Sequence, residues 1–409
     1  MFINDQKARE QVIEAGLRMK AESLITRTYG NISARISDDE FVITPSGIPY
    51  ENLKAADLVA VKIEDLSWSG EIKPSSELGV HAAIYRNRAD IAFVIHTHQT
   101  YATVLSTLGE DLPAPTVTIV DPSENEGQTD TSTKDGQGAQ TSFGLDEGSQ
   151  NMWQFFGSSV PCAEYGMNGT DKLIKAVESR VQDTPDSLAI LMRNHGAICF
   201  GKDYKEAAAV VRSLEDMCRQ IYGEKVGAYE DAEAYENEQA KSDVIEEMEA
   251  EEKESKKPVP PRMKDLLEEP IPEADLYRYC TVYPLPGKTA YLSALPATVL
   301  YSQRGEGILP YIDDFAMTAG IEMISVPEEA GGKEILKGLP EKNGAVFLTG
   351  HGAICAGTDE KEAKIVALLV EKNCMAGMLE NPVAIMKTNA RKEHKLYMDK
   401  YSKLIKTKL

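Results

Sequence analysis

Positive charge is scarce in this 409-residue chain: 44 Lys and Arg face 65 Asp and Glu, for a formal charge of -21. A nucleic acid or an anionic membrane would meet a repulsive field, so neither is expected as a partner, and any bound phosphate must be held locally. Also missing is an apolar run long enough to span a bilayer, and residues 1–20 are charged and amphipathic, without the apolar core of a signal peptide. The expectation is a cytoplasmic protein. The six cysteines form no CxxC and no dense framework. That excludes a disulfide scaffold and predicts buried core thiols.

What is present is a repeat. Asn194-His195-Gly196-Ala197-Ile198-Cys199 recurs as Gly350-His351-Gly352-Ala353-Ile354-Cys355, and Cys199 and Cys355, like Cys218 and Cys374, stand 156 residues apart. Upstream, Ala102-Thr103-Val104-Leu105 resembles Ala297-Thr298-Val299-Leu300. A chain of this length exceeds one ordinary core. Self-similarity then predicts a domain over 1–225 and a partial, diverged copy over 276–409 that ends in a basic helix. Residues 226–275, rich in Glu and Lys and holding Pro258, Pro260 and Pro261, read as a charged linker. A polar, Gly- and Ser-rich insert over 121–159 ends in the apolar patch Met152-Trp153-Gln154-Phe155-Phe156, which is expected to dock.

Periodicity predicts helices over 5–22, 76–88, 100–106, 171–181 and 205–222. Strands are predicted over 31–36, 40–44, 58–63, 91–95, 188–192 and 197–200. Strands alternating with helices favour a layered α/β sandwich.

Within that frame, His96-Thr97-His98 follows the apolar run Ile91-Ala92-Phe93-Val94-Ile95. Residues i and i+2 of a strand share a face, so two imidazoles can meet one ion. His195, at a turn beside Gly196, is the third candidate. Three neutral imidazoles with an open position are a catalytic metal arrangement, most often zinc. Lys73-Pro74-Ser75-Ser76-Glu77 opens a helix, with Glu77 expected in its first turn. Such a start caps a helix and also suits an anion. Thr28-Tyr29-Gly30-Asn31-Ile32-Ser33 and Thr44-Pro45-Ser46-Gly47-Ile48-Pro49-Tyr50 are turn-rich segments that fit the same need. His81, four residues after Glu77, reads as packed or solvated, and His394 as part of a solvated basic face.

The segments YGNIS, ITPSGIPY, KPSSE, HTH and NHGAI, in that order, make residues 1–225 resemble the class II aldolase and adducin-head family, in particular its fuculose-phosphate aldolase branch. The resemblance implies a three-layer α/β/α sandwich in a homo-oligomer, with zinc or another divalent metal, that cleaves a ketose phosphate through an enediolate. It assigns His96, His98 and His195 to the metal and Glu77 to acid/base chemistry. Asn31, Ser46, Gly47, Ser75 and Ser76 fall to the phosphate. A metal-dependent epimerase or dehydratase of the same fold, and a non-catalytic adducin-like interaction protein, are the alternative readings. The family's tyrosine in the loop after the metal strand has no counterpart in Pro113-Ala114-Pro115-Thr116-Val117-Thr118, which leaves Tyr165, Tyr311 or a residue of the 121–159 insert as candidate proton donors.

Aligned on Ala-Thr-Val-Leu, the second copy places Tyr291 and Ser293 opposite His96 and His98, so it is expected to be metal-free. Its segment Pro310-Tyr311-Ile312-Asp313-Asp314 is expected to cover the first copy's site.

Overall fold

A computed structural model describes residues 4–25, 29–113, 153–226, 276–340 and 343–406. Thr28, most of the 121–159 insert, the loop after Pro113 and nearly all of the 226–275 linker lie outside these residues.

Helix α1 (Asp5–Ala21) begins where the Asn4 side chain accepts the Lys7 N–H, and it buries Ala8, Val12, Ala15 and Met19 at helical spacing. The strands β1 (Asn31–Arg35), β2 (Glu40–Ile43) and β3 (Val59–Lys62) form an antiparallel meander. Then come α2 (Leu78–Asn87), β4 (Phe93–Thr97) and α3 (Thr100–Ser106). The ribbon of β5 (Leu112–Pro113) and β6 (Ser159–Val160) precedes β7 (Cys162–Ala163), α4 (Asp171–Asp183), β8 (Ala189–Met192), β9 (Gly196–Gly201) and α5 (Tyr204–Val226).

The seven-stranded sheet runs β3-β2-β1-β4-β9-β8-β7. Its side chains alternate between two cores, as the pleat requires. Phe93 and Ile95 pack with α1, α3 and α5, whereas Val94 packs with α2 and α4. This is the expected three-layer α/β/α sandwich. Phe156 of the apolar patch is fully buried in the first of these cores.

The second copy supplies β10 (Cys280–Val282), β11 (Thr289–Ser293), α6 (Pro296–Ser302), α7 (Asp313–Thr318) and β12 (Ser325–Val326). It continues with α8 (Gly332–Gly338), β13 (Gly344–Leu348), β14 (Gly352–Gly357), α9 (Glu360–Gly377) and α10 (Lys387–Lys406). Its sheet, β10-β11-β14-β13-β12, repeats the order β1-β4-β9-β8-β7. Counterparts of β2, β3 and α2 are absent among the described residues.

The pairing corrects the register of the repeat by one residue. Phe93 faces Gly201 and Thr289 faces Gly357, while His96 faces Ile198 and Leu292 faces Ile354. Leu292 and Ala294 therefore replace His96 and His98, not Tyr291 and Ser293. The Ala-Thr-Val-Leu match is off by one, since the helix starts correspond as Tyr101 with Ala297 and Ala102 with Thr298, each pair donating to one buried glutamate. The absence of imidazoles at these two positions is unchanged.

One apolar core runs from α5 into α9 and across the face of the second sheet, and the Tyr222 hydroxyl donates to the Met375 carbonyl at 3.2 Å. So large an apolar junction holds the two copies in one arrangement. All six cysteines are buried free thiols. Among the described residues no helix is long and apolar enough to cross a membrane.

Candidate metal centre

Strand β4 carries His96 onto the face covered by α2, the side already taken by Val94, and His98 follows two residues later. His195 sits in the three-residue turn between β8 and β9. That turn is made possible by Asn194 at φ 62°, and by Gly196, where a Cβ would meet the Thr97 carbonyl at 2.4 Å. Glu77 is the N-cap of α2, one position earlier than its expected place in the first turn. All four side chains are buried.

Their geometry converges on one point. His96 Nε2 lies 2.9 Å from His98 Nε2, His195 Nε2 lies 2.9 Å from Glu77 Oε1, and His96 Nε2 lies 3.3 Å from Glu77 Oε2. The tautomers are assigned from partners that can only accept. His96 Nδ1 donates to the Ala197 carbonyl at 2.8 Å, and His98 Nδ1 donates to Asp314 Oδ2 at 2.7 Å. His195 Nδ1 donates to Asp313 Oδ2. In the neutral rings every N–H is thereby used, and three Nε2 lone pairs face a common centre.

A divalent cation fits this arrangement. Two imidazole lone pairs at 2.9 Å repel unless a proton or a cation lies between them. Glu77, Asp313 and Asp314 also bury three carboxylates within the same cluster, and the Oδ1 atoms of both aspartates are buried without a hydrogen-bond partner. Lys372, whose ammonium donates to the His98 carbonyl at 2.7 Å, supplies one positive charge and a protonated His195 a second, against three carboxylates. Excess buried negative charge is costly unless a cation offsets it. The Nε2 atoms of His96, His98 and His195 would hold that cation.

Electrostatics follow the same layout. Burial raises the Glu77 carboxyl, but attraction to His96, His195 and His98 outweighs it and holds the group well below the usual carboxylate range. Burial lowers His96 to about 3 and keeps it neutral. Burial likewise opposes charge on His195, yet Asp313 and Glu77 together raise it well above the ordinary imidazole value; with no ion bound, its Nε2 thus carries a proton toward Glu77 that a cation would displace.

Glu77 is held from behind by a directed chain. The Tyr85 hydroxyl and His81 Nδ1 lie 2.8 Å and 2.7 Å from Ser33 Oγ, His81 Nε2 donates to Asn31 Oδ1 at 2.5 Å, and Asn31 Nδ2 donates to Glu77 Oε2 at 2.6 Å. His81 is thus neither solvated nor a mere packing residue. The Asn31 amide keeps one hydrogen free for another acceptor.

The two serine-bearing segments lie side by side. Pro45 bridges Pro74, Ser46 N–H donates to the Lys73 carbonyl, and Ser75 N–H donates to the Thr44 carbonyl. Ser46, Gly47 and Ser76 are exposed at that edge, while Ser75 Oγ accepts the Glu77 N–H at 3.3 Å. Of the candidate proton donors, Tyr165 donates to Glu393 of α10 at 3.3 Å. The Tyr311 ring instead packs near Gly377, and its main-chain carbonyl receives the Asn194 amide. His394 is half-buried and donates to the Met317 carbonyl at 2.9 Å, so α10 docks on α7 rather than presenting that histidine to solvent.

The class II aldolase and adducin N-terminal domain family matches residues 10–222 and 291–377, both copies of the repeat. This chain belongs to that family. A curated relative, 5-deoxy-D-ribulose 1-phosphate aldolase of Bacillus thuringiensis serovar kurstaki, is 33% identical over 218 residues, 53% of this chain and 84% of the relative. A solved L-fuculose 1-phosphate aldolase is 30% identical, with 53% of this chain and 84% of that chain covered and a TM-score of 0.40. A putative aldolase/epimerase/decarboxylase from Escherichia coli is 24% identical, covering 53% and 89%, with a TM-score of 0.41.

In this class II aldolase family member the sequence placed Asp313 and Asp314 over the site but not their bonds to His195 and His98, and it missed Lys372 and the support role of His81. Only the apolar setting of His81, inside an α2 buried from Gly79 to Tyr85, could have signalled its part.

Proposed function

We propose that this chain is a divalent-metal-dependent aldolase that cleaves a ketose 1-phosphate between carbons. The single observation that carries this reading is the convergence of three Nε2 lone pairs beside the Glu77 carboxylate, with every Nδ1 already donated. The 33% identity to a 5-deoxy-D-ribulose 1-phosphate aldolase supports the substrate class.

His96, His98 and His195 bind the ion, which supplies Lewis acidity toward the substrate's carbonyl oxygen. Glu77 exchanges the proton at the carbon beside that carbonyl. Its carboxylate lies beside the three Nε2 atoms, and the chain from Tyr85 through Ser33, His81 and Asn31 fixes its orientation. The paired segments at Ser46, Gly47, Ser75 and Ser76, with the spare Asn31 hydrogen, hold the phosphate by neutral donors. Neutral donors suit an acidic protein. The first domain, 1–225, carries the chemistry, and the copy over 276–409 closes its site.

The test is incubation of the purified, zinc-loaded chain with a set of ketose 1-phosphates. Release of dihydroxyacetone phosphate and an aldehyde, abolished by a chelator and restored by zinc, is expected. Interconversion of epimers or loss of water without cleavage would replace aldolase by epimerase or dehydratase. No turnover by a metal-loaded chain would favour an adducin-like binding protein.

A further inference from the structure

Two carboxylates reach the candidate metal centre from the copy that lacks its own β4-type histidines. Asp313 and Asp314 open α7, and neither belongs to any motif of the first copy. Their approach is pinned to the loops that bear the histidines. Asp313 N–H donates to the Asn194 carbonyl at 2.9 Å, and the Asn194 amide donates to the Tyr311 and Val383 carbonyls at 2.7 Å each. On the other side Lys372 of α9 holds the His98 carbonyl.

We propose that Asp313 and Asp314 are positioning residues, each fixing the tautomer and ring plane of one histidine so that His195 and His98 offer Nε2 to one shared ion. This inference rests on the metal-dependent reading above. A neutral imidazole has a single N–H, and giving it to a carboxylate leaves the other nitrogen free as a ligand and makes it more basic. His96 needs no such help, because its Nδ1 meets the Ala197 carbonyl that β4–β9 pairing delivers. Two of the three ligands are therefore set by the second copy, within the same chain.

A second ion bound by His98, Asp313 and Asp314 is the competing use of the same atoms, since these three side chains also cluster. An ion there would need the lone pair of His98 Nδ1 and would move that ring's proton to Nε2, which points at His96 Nε2 in the three-histidine centre. The number of ions per chain separates the two uses.

The test uses the full chain and zinc competition against a chromophoric chelator, with the visible spectrum of the cobalt-substituted protein as a second readout. Asp314→Ala and Asp313→Ala are expected to retain the far-ultraviolet circular dichroism of the parent, weaken zinc about 10- to 100-fold, and shift the cobalt bands. Asp314→Asn and Asp313→Asn keep shape and an acceptor oxygen while losing charge. They are expected near the lower end of that range, and they hold the comparison even if an alanine variant misfolds. Unchanged zinc affinity and cobalt bands in all four variants would overturn the proposal. So would two ions per parent chain falling to one in the variants, which would make the aspartates ligands. A parent chain that binds no metal would instead overturn the metal-dependent reading and this inference with it.

Discussion

Glu215 and Glu371, 156 residues apart, do the same work in the two copies. Glu215 accepts the backbone N–H groups of Tyr101 and Ala102 at 2.9 and 3.1 Å, and Glu371 accepts those of Ala297 and Thr298 at 2.8 Å each. Each carboxylate thus satisfies the free donors at the start of the helix that follows the central strand. The second copy has kept this support while Leu292 and Ala294 stand in place of His96 and His98. Its fold persists without those two histidines.

That support sets the first expectation. Glu371→Ala strands two buried N–H groups and the Thr298 hydroxyl, which donates to Glu371 at 2.6 Å. A loss of about 2–4 kcal/mol in chemical denaturation is expected from unmet buried donors. A change within about 0.5 kcal/mol, typical of a surface substitution, would contradict it.

Glu77→Gln should separate chemistry from metal binding. The amide keeps the size of the side chain and removes the base. Cleavage is expected to fall by about 10²- to 10⁴-fold while metal content, read by elemental analysis, stays at the parent level. Loss of the ion together with activity would make Glu77 a ligand instead.

His351 is the one motif histidine left in the second copy. It pairs with Glu328 at 2.8 Å near the surface. His351→Ala is therefore expected to leave metal content and turnover unchanged. A drop in metal content would place a second ion there.

The buried His81 gives a pH signature. Burial lowers it from 6.5 to about 4, so between those values the unfolded chain binds a proton that the folded chain refuses. Stability contributed by neutral His81 is present above pH 6.5 and is lost as pH falls toward 4, roughly 3 kcal/mol in all. In urea denaturation the advantage of the parent over His81→Gln should shrink by that amount from pH 7 to pH 4. Parallel curves would exclude a depressed His81.

Much of this was legible in the sequence for local reasons. The strand and helix of His96 to Ser106 follow from a short apolar run and a helical period, and the Asn194 turn from a residue that tolerates positive φ. Two-residue edge strands such as Cys162–Ala163 carry no period to read. The Asp314–His98 hydrogen bond joins positions 216 residues apart across two copies, and no spacing rule links them. Pro310 to Asp314 was expected over the site, yet what its aspartates do there depends on contacts that only the packed structure displays. The one-residue slip at Tyr291 shows how short identical runs can mislead where strand pairing does not.

The central claim is that His96, His98 and His195 hold one catalytic ion, and elemental analysis of the purified chain beside His96→Ala tests it most directly. About one zinc or similar ion per chain, lost in the variant, is the expected result. No bound metal in the parent chain, even after reconstitution, would contradict it.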